Sequence, residues 1–279
     1  MGGSLPFFVR QSFMKWLILF ISIFLLIICA KIYYDTSAIE VKHYQISLSS
    51  SKEILSGRKI ALLSDLHIRR LGKRENKILE ILKEERPDLI LLAGDLISFR
   101  GSYDPVMGFL KQLKASSGTY AVLGNTEYSN ENGSCILCHK ERSRDLRDGQ
   151  GPVFLRNASV SLKLNGKTLN IFGVDDPVNK KSDLTIALKG RDLDHPSILL
   201  AHSPEVFEEA ANLGIDLVFC GHTHGGQVAL TRYLARIFPL DPALNFLEGF
   251  FQKGRSLMYV SRGVGTSYLP FRFMVKPEI

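Results

Sequence analysis

The stretch "KIALLSDLH", residues 59–67, decides the architecture. Its apolar run has no polar alternation, so it reads as a strand buried on both faces, and it ends on Asp65 and His67. Next, "RENKILEILKEE" spaces its apolar residues along one helical face. Pro87 closes that helix, and "LILLAGD" is a second buried strand ending on Asp95. The unit recurs: "VMGFLKQLKA" is an amphipathic helix before the strand "TYAVLGN", which ends on Asn125. "SVSLKL" and "TLNIFGV" are the arms of a hairpin around "NGK". After it come the strand "SILLAH", the helix "PEVFEEAANLG", the strand "DLVFCGH" and a last strand "SLMYVS". Strands alternating with helices, with a few hairpins, predict a layered α/β sandwich covered on both sheet faces.

A chain of 279 residues has room for one large domain and a small appendage. Its 45% hydrophobic and 23% charged residues describe a globular protein, not a disordered one. The net charge of +7 suits phosphate groups, nucleic acid or acidic lipid, and equally a merely soluble basic surface. No run resembles a basic nucleic-acid arm, so nucleic acid is not expected as a partner.

The most apolar segment is "WLILFISIFLLIICA", residues 16–30, between Lys15 and Lys31. As a helix it spans roughly 22 Å, short of a hydrocarbon core of about 30 Å. Snorkelling lysines, Trp16 and the "IYY" at 32–34 extend it to a tilted single-pass membrane anchor. A cleavable signal peptide with "TSA" at 36–38 is the rival reading. Arg10 and Lys15 precede the segment, and Lys31, Lys42 and Lys52 follow it, so the positive-inside rule does not choose an orientation. Residues 35–58 read as a polar connector with one strand near 41–48.

Polar residues gather where the buried strands end: Asp65, His67, Asp95, Asn125, His202, His222 and His224. In an open α/β sheet the carboxyl ends of the strands share one rim, so these loops can converge. Singly, each has an ordinary reading as a turn residue or a locally satisfied imidazole. Together they form a mixed oxygen and nitrogen set suited to two first-row divalent metals.

The ordered motifs "DLH", "GD", "GNTE", "AHSPE" and "GHTHGGQ" resemble the calcineurin-like metallophosphoesterases. The tail "RGVGTSYLPFRFMVKPEI" is similar to their membrane-associated bacterial branch. The resemblance implies a four-layer αββα sandwich over residues 59–279, preceded by a membrane anchor at 1–34 and a connector at 35–58. It also implies two divalent metals, Mn, Fe or Zn. Asp65, His67 and His224 would hold the first, Asn125, His202 and His222 the second, and Asp95 would bridge. A hydroxide between the metals would attack phosphorus in a phosphoester or phosphoanhydride, with Asp65, Asp95, Asn125 and His202 as the catalytic core. The substrate would be a phosphorylated small molecule or a lipid-linked one.

One position departs from the family pattern. The residue after Asn125 is usually a His that protonates the leaving oxygen, and here it is Thr126, a very poor acid. General acid catalysis is worth about 10²- to 10⁴-fold. A phosphate or pyrophosphate leaving group needs no proton near neutral pH, whereas an alkoxide does. The departure therefore favours anhydride cleavage, as in the superfamily's lipid A pathway hydrolases of UDP-2,3-diacylglucosamine. Glu127 and His139 are rival proton sources. The apolar run "IFPL…NFLEGFF", 237–251, is either core, a lid, or a cover for an acyl chain.

"CILCH", Cys135, Cys138 and His139, matches the c-type haem attachment pattern. A structural zinc site, a disulfide and plain thiols are the alternatives. Haem attachment requires an oxidising compartment, whereas a UDP-linked substrate requires the cytoplasm. A redox or haem-bearing protein, or an extracytoplasmic phosphodiesterase, thus stands as the alternative function.

Overall fold

The computed structural model describes residues 7–46, 55–128, 135, 137, 151–164, 166–190, 195–237 and 242–279. Four strands, β1 (Ile60–Leu63), β2 (Leu89–Ala93), β3 (Thr119–Val122) and β4 (Val153–Phe154), form a parallel sheet in sequence order. A second sheet runs β5-β6-β7-β8-β10-β9. Its members are β5 (Ala158–Leu164), β6 (Lys167–Gly173), β7 (Ser197–Leu200), β8 (Leu217–Cys220), β9 (Gly249–Lys253) and β10 (Ser256–Val260). Its middle is parallel, and each edge is an antiparallel hairpin.

Side-chain alternation inside the continuous apolar runs builds the layers. In β2, Leu89, Leu91 and Ala93 face the second sheet, where they meet Ile171, Ile198, Leu200 and Phe219. Ile90 and Leu92 face the opposite way, against Ile78 of α2 (Lys73–Glu85) and Phe109 of α3 (Tyr103–Leu110). On the outer side of the second sheet, Phe172, Leu199 and Val218 pack on Phe207 and Ala210 of α5 (Phe207–Asn212). Helix, sheet, sheet, helix is the expected four-layer sandwich. Burying both faces is what makes the central strands β2, β7 and β8 almost uniformly apolar.

The structure adjusts several boundaries. α3 stops at Leu110, and the segment beginning at Pro204 opens with a 3₁₀ turn, Pro204–Val206, before α5. Near 41–48 the described residues show only a bridge between Glu40 and Glu278, and 47–48 lie outside them. β4, β9, α4 (Leu184–Ala187) and α6 (Ala229–Ile237) were not expected. Part of the apolar run at 237–251 is core, because Phe246 and Phe251 stack edge-on with centroids 5.0 Å apart and Phe246 meets Phe207 at 6.1 Å.

The N-terminal helix α1 (Phe7–Ser37) is longer than its apolar run. Phe13–Ser37 is long and apolar enough to cross a membrane, and its large apolar side chains face outward. Its last turn is fastened to the domain. The buried carboxylate of Asp35 accepts from Lys31 Nζ at 2.6 Å and from the Met274 N–H at 2.7 Å, and Thr36 Oγ1 accepts from the Arg272 N–H at 2.9 Å.

Candidate metal centre

The loops after β1, β2, β3, β7 and β8 meet at one rim and carry all seven residues singled out above. Short backbone bonds stitch these loops together: Asp65 N–H to Gly94 O at 3.0 Å, His67 N–H to Asp95 O at 2.9 Å, and Gly221 N–H to His202 O at 2.9 Å. Such close approach needs glycine at two points. A Cβ on Gly124 would collide with the Asp95 carboxylate, and one on Gly221 with the carboxylate of Asp65 and the side chain of Ser64. The turns are also strained. Asp65, His67, Asp95, His222 and His224 all have positive φ, between 44° and 74°, where non-glycine residues are uncommon. Strain of this kind persists where the surroundings over-determine it, and it clusters at functional sites.

The side chains converge in two adjoining groups. Asp65, His67 and His224 bring their ligand atoms within 4.8 Å of one another, and so do Asp65, Asp95 and His202. His67 Nε2 lies 3.1 Å from His224 Nε2 and 3.4 Å from Asp95 Oδ2. His202 Nε2 lies 3.1 Å from Asn125 Oδ1, 3.1 Å from His222 Nδ1 and 3.3 Å from Asp95 Oδ1. The other nitrogen of His202, Nδ1, is 2.8 Å from the carbonyl of Ala93 and so carries the proton. When neutral, His202 thus points a lone pair at a carboxylate, an amide oxygen and another imidazole. A cation resolves that convergence of lone pairs, and the donor set fits a divalent metal. Asn125 and His222 are half-exposed while the other five are buried, so the rim opens to solvent at the Asn125–His222 side.

Electrostatics divides the imidazoles. Burial lowers His67 despite the charge of Asp95, and burial with the neighbouring His67 and Arg272 lowers His224 well below its ordinary value, so both are neutral. Burial also works against a charged His202, but Asp95 and Asp65 outweigh it and raise that group to about 9. Burial pushes Asp65 up. It acts on Asp95 too, where His202, His67 and the Thr126 N–H overcome it and hold the carboxyl low.

Three further residues shape the rim, and sequence reading had missed the roles of two. Glu127 is buried and accepts four backbone N–H groups, from Gly124 at 2.6 Å, Leu96 at 2.7 Å, Ile97 at 3.0 Å and Asp95 at 3.1 Å. Burial, with the charge of Asp95, raises it to about 8, and the Gly124 and Ile97 N–H bonds pull it back. With both oxygens accepting backbone N–H groups from two loops, Glu127 clamps those loops together. Arg272 is fully buried and donates to Gly265 O at 2.6 and 2.9 Å and to Arg262 O at 2.7 Å, beside His224. Nothing in its local sequence marks it, since its partners are distant carbonyls. Thr126 is buried, and its N–H donates to Asp95 Oδ1 at 2.9 Å. Cys135 is buried and disulfide-bonded, whereas Cys138 and His139 lie outside the described residues.

A strand-end cluster of Asp, Asn and His on an αββα sandwich defines a metal-dependent phosphoesterase. The family described as calcineurin-like phosphoesterase matches residues 58–226, more than half the chain, and this protein belongs to that family. Among its relatives, an uncharacterized metallophosphoesterase of Bacillus subtilis, YkuE, is 30% identical over 253 residues, covering 88% of this chain and 86% of that one. An uncharacterized metallophosphoesterase of Helicobacter pylori (strain J99) is 33% identical across 79% of this chain and 58% of its own. A zebrafish (Danio rerio) transmembrane protein with a metallophosphoesterase domain is 28% identical across 86% of this chain and 56% of its own.

Proposed function

We propose that the protein is a membrane-anchored hydrolase in which Asp65, His67 and His224 hold one divalent metal, Asn125, His202 and His222 a second, and Asp95 both. Its preferred bonds are phosphoanhydrides. The metals supply Lewis acidity toward a phosphoryl oxygen and a nucleophilic water near neutral pH. The chain's own contribution is positioning. The His222 N–H donates to both oxygens of Asp65 at 3.1 and 3.0 Å, Ala93 O fixes the His202 tautomer, and the Thr126 N–H fixes Asp95. Substrate phosphate enters from the Asn125–His222 side.

The single observation behind the substrate class is Thr126. It stands at the rim in place of an acid, and its neighbour Glu127 is consumed by four backbone donors. A bond whose leaving group departs as a stable anion suits that site, and a UDP-2,3-diacylglucosamine-like pyrophosphate is the candidate if the domain faces the cytoplasm. In purified protein, turnover of this pyrophosphate should exceed that of a glycerophosphodiester. Thr126→His should raise diester turnover by about 10-fold or more while changing anhydride turnover little. Faster diester cleavage by the wild type, or equal gains in both reactions, overturns the reading.

One observation favours a second reading. The disulfide at Cys135 belongs to an oxidising compartment, which fits an extracytoplasmic phosphohydrolase rather than one fed by nucleotide sugars.

A further inference from the structure

α6 begins five residues after His224, the second candidate ligand of the "GHTHGG" loop, and its apolar side points the wrong way for a globular protein. Leu230, Tyr233, Leu234 and Ile237 recur at i, i+3, i+4 and i+7, the spacing of one helical face. That face is exposed, at 63%, 65%, 47% and 66% respectively. Surface helices normally turn such a stripe to the core, so an outward one marks a partner.

The position of α6 says which partner. The Ala229 N–H donates to Phe273 O at 3.0 Å. The residues on either side of Phe273 are the ones that hold the end of α1: Arg272 through Thr36, and Met274 through Asp35. The apolar stripe therefore starts beside the point where the membrane-crossing helix meets the domain. Tyr33 and Tyr34 mark the same level on α1, as aromatic residues do at a bilayer interface. Gln227, two residues before α6, donates to Leu269 O at 2.8 Å and accepts from the Ser267 N–H at 2.8 Å, which draws the 267–271 segment alongside. That segment contributes Tyr268, 89% exposed, whose ring meets Phe99 of the Asp95 loop at 5.8 Å.

We infer that the outward face of α6 is a second membrane contact, lying in the bilayer interface and bringing the metal rim to the lipid surface. Helices of this kind bind through buried apolar area, aided on anionic lipid by positive charge such as this chain's +7. The consequence for the site is that a phosphorylated amphiphile reaches it from the interface without leaving the bilayer. This inference rests on α1 being a membrane anchor.

The chain's one tryptophan, Trp16, lies in α1, which allows the two claims to be tested apart. Full-length protein is reconstituted into phosphatidylcholine–phosphatidylglycerol vesicles whose lipids are brominated high on the acyl chains. Trp16 in the wild type reports the anchor. Tyr233→Trp in a Trp16→Phe background reports α6, and the exposed position spares the core. The expected result is quenching of both, by about twofold or more for the α6 indole. An α6 indole equally bright in brominated and plain vesicles, with Trp16 quenched, overturns the inference and leaves the anchor standing. An unquenched Trp16 overturns the anchor, and quenching of the α6 indole alone would then show a surface contact without a span. As a second measurement, Leu230→Asp with Leu234→Asp should slow cleavage of a vesicle-embedded phosphorylated amphiphile by about 10-fold and leave a soluble phosphoester unaffected. An equal loss on both substrates, or on neither, counts against the interface.

Discussion

His202 is the residue on which the metal chemistry turns. Its Nε2 is aimed at Asn125 and Asp95, and the two carboxylates Asp95 and Asp65 raise it to about 9, against an ordinary 6.5. In the metal-free fold this charged imidazole stabilises the protein below its unfolded value, and that contribution is lost as pH rises through about 9. Metal ligation needs the neutral ring, so binding must expel the proton across the same window. His67 and His224 are already neutral and release none. Apparent metal affinity should therefore rise with pH, by up to about tenfold per unit between about pH 7 and pH 9, with close to one proton released. Calorimetric titration of Mn²⁺ or Zn²⁺ in buffers of different ionisation enthalpy measures both quantities, and a flat affinity over that range refutes this proton linkage. Asp95→Ala removes the charge that raises His202, so it should flatten the pH profile while reducing metal-dependent hydrolysis by more than about 100-fold.

At the scale of elements, the rim is a set of strand ends drawn together by one clamp. Glu127 gathers the N–H groups of Asp95, Leu96 and Ile97 from the β2 loop and that of Gly124 from the β3 loop. Glu127→Gln keeps the shape but turns one acceptor into a donor facing two N–H groups. Unmet buried donors cost about 1–3 kcal/mol each. The variant should lose about 2–4 kcal/mol and melt about 5–10 °C lower. Weakened metal binding should follow, because the Asp95 turn loses its support. An unchanged Tm in differential scanning calorimetry would mean that the clamp does not hold the loops. The contrast with the seven rim residues shows what a sequence discloses. Asp65, Asp95, Asn125 and the imidazoles were legible because each follows an uninterrupted apolar run, so topology alone brings them together. Glu127 and Arg272 were not legible in these roles, because their partners are backbone groups whose placement exists only after folding. α6 and β9 were hidden for another reason: periodicity reports that one face is apolar, and it does not report whether that face meets a core or a membrane.

At the scale of the whole molecule, the end of the N-terminal helix and the rim form one continuous structure. Asp35 and Thr36 hold 272–274, Arg272 braces the loop carbonyls beside His224, and Arg262 bonds both Glu278, at 2.6 Å, and Glu40 of the connector, at 2.7 Å. A domain fastened this closely to the end of α1 has its compartment fixed by the orientation of that helix. Flanking charge does not choose the orientation, and the disulfide at Cys135 is the feature that argues for the oxidising side, where such bonds persist. Lys189 is exposed beyond α4, and Cys29 is the free thiol to be removed, because Cys220 is fully buried. A Lys189→Cys, Cys29→Ser chain in a bacterial host should therefore react with a membrane-impermeant maleimide in intact spheroplasts, above the level of Cys29→Ser alone. That result would exclude cytoplasmic UDP-linked lipids and direct substrate tests to pyrophosphates and phosphodiesters on the outer face. Labelling only after permeabilisation would place the rim in the cytoplasm and remove the oxidising-compartment argument. The UDP-2,3-diacylglucosamine reading would then be the one to pursue.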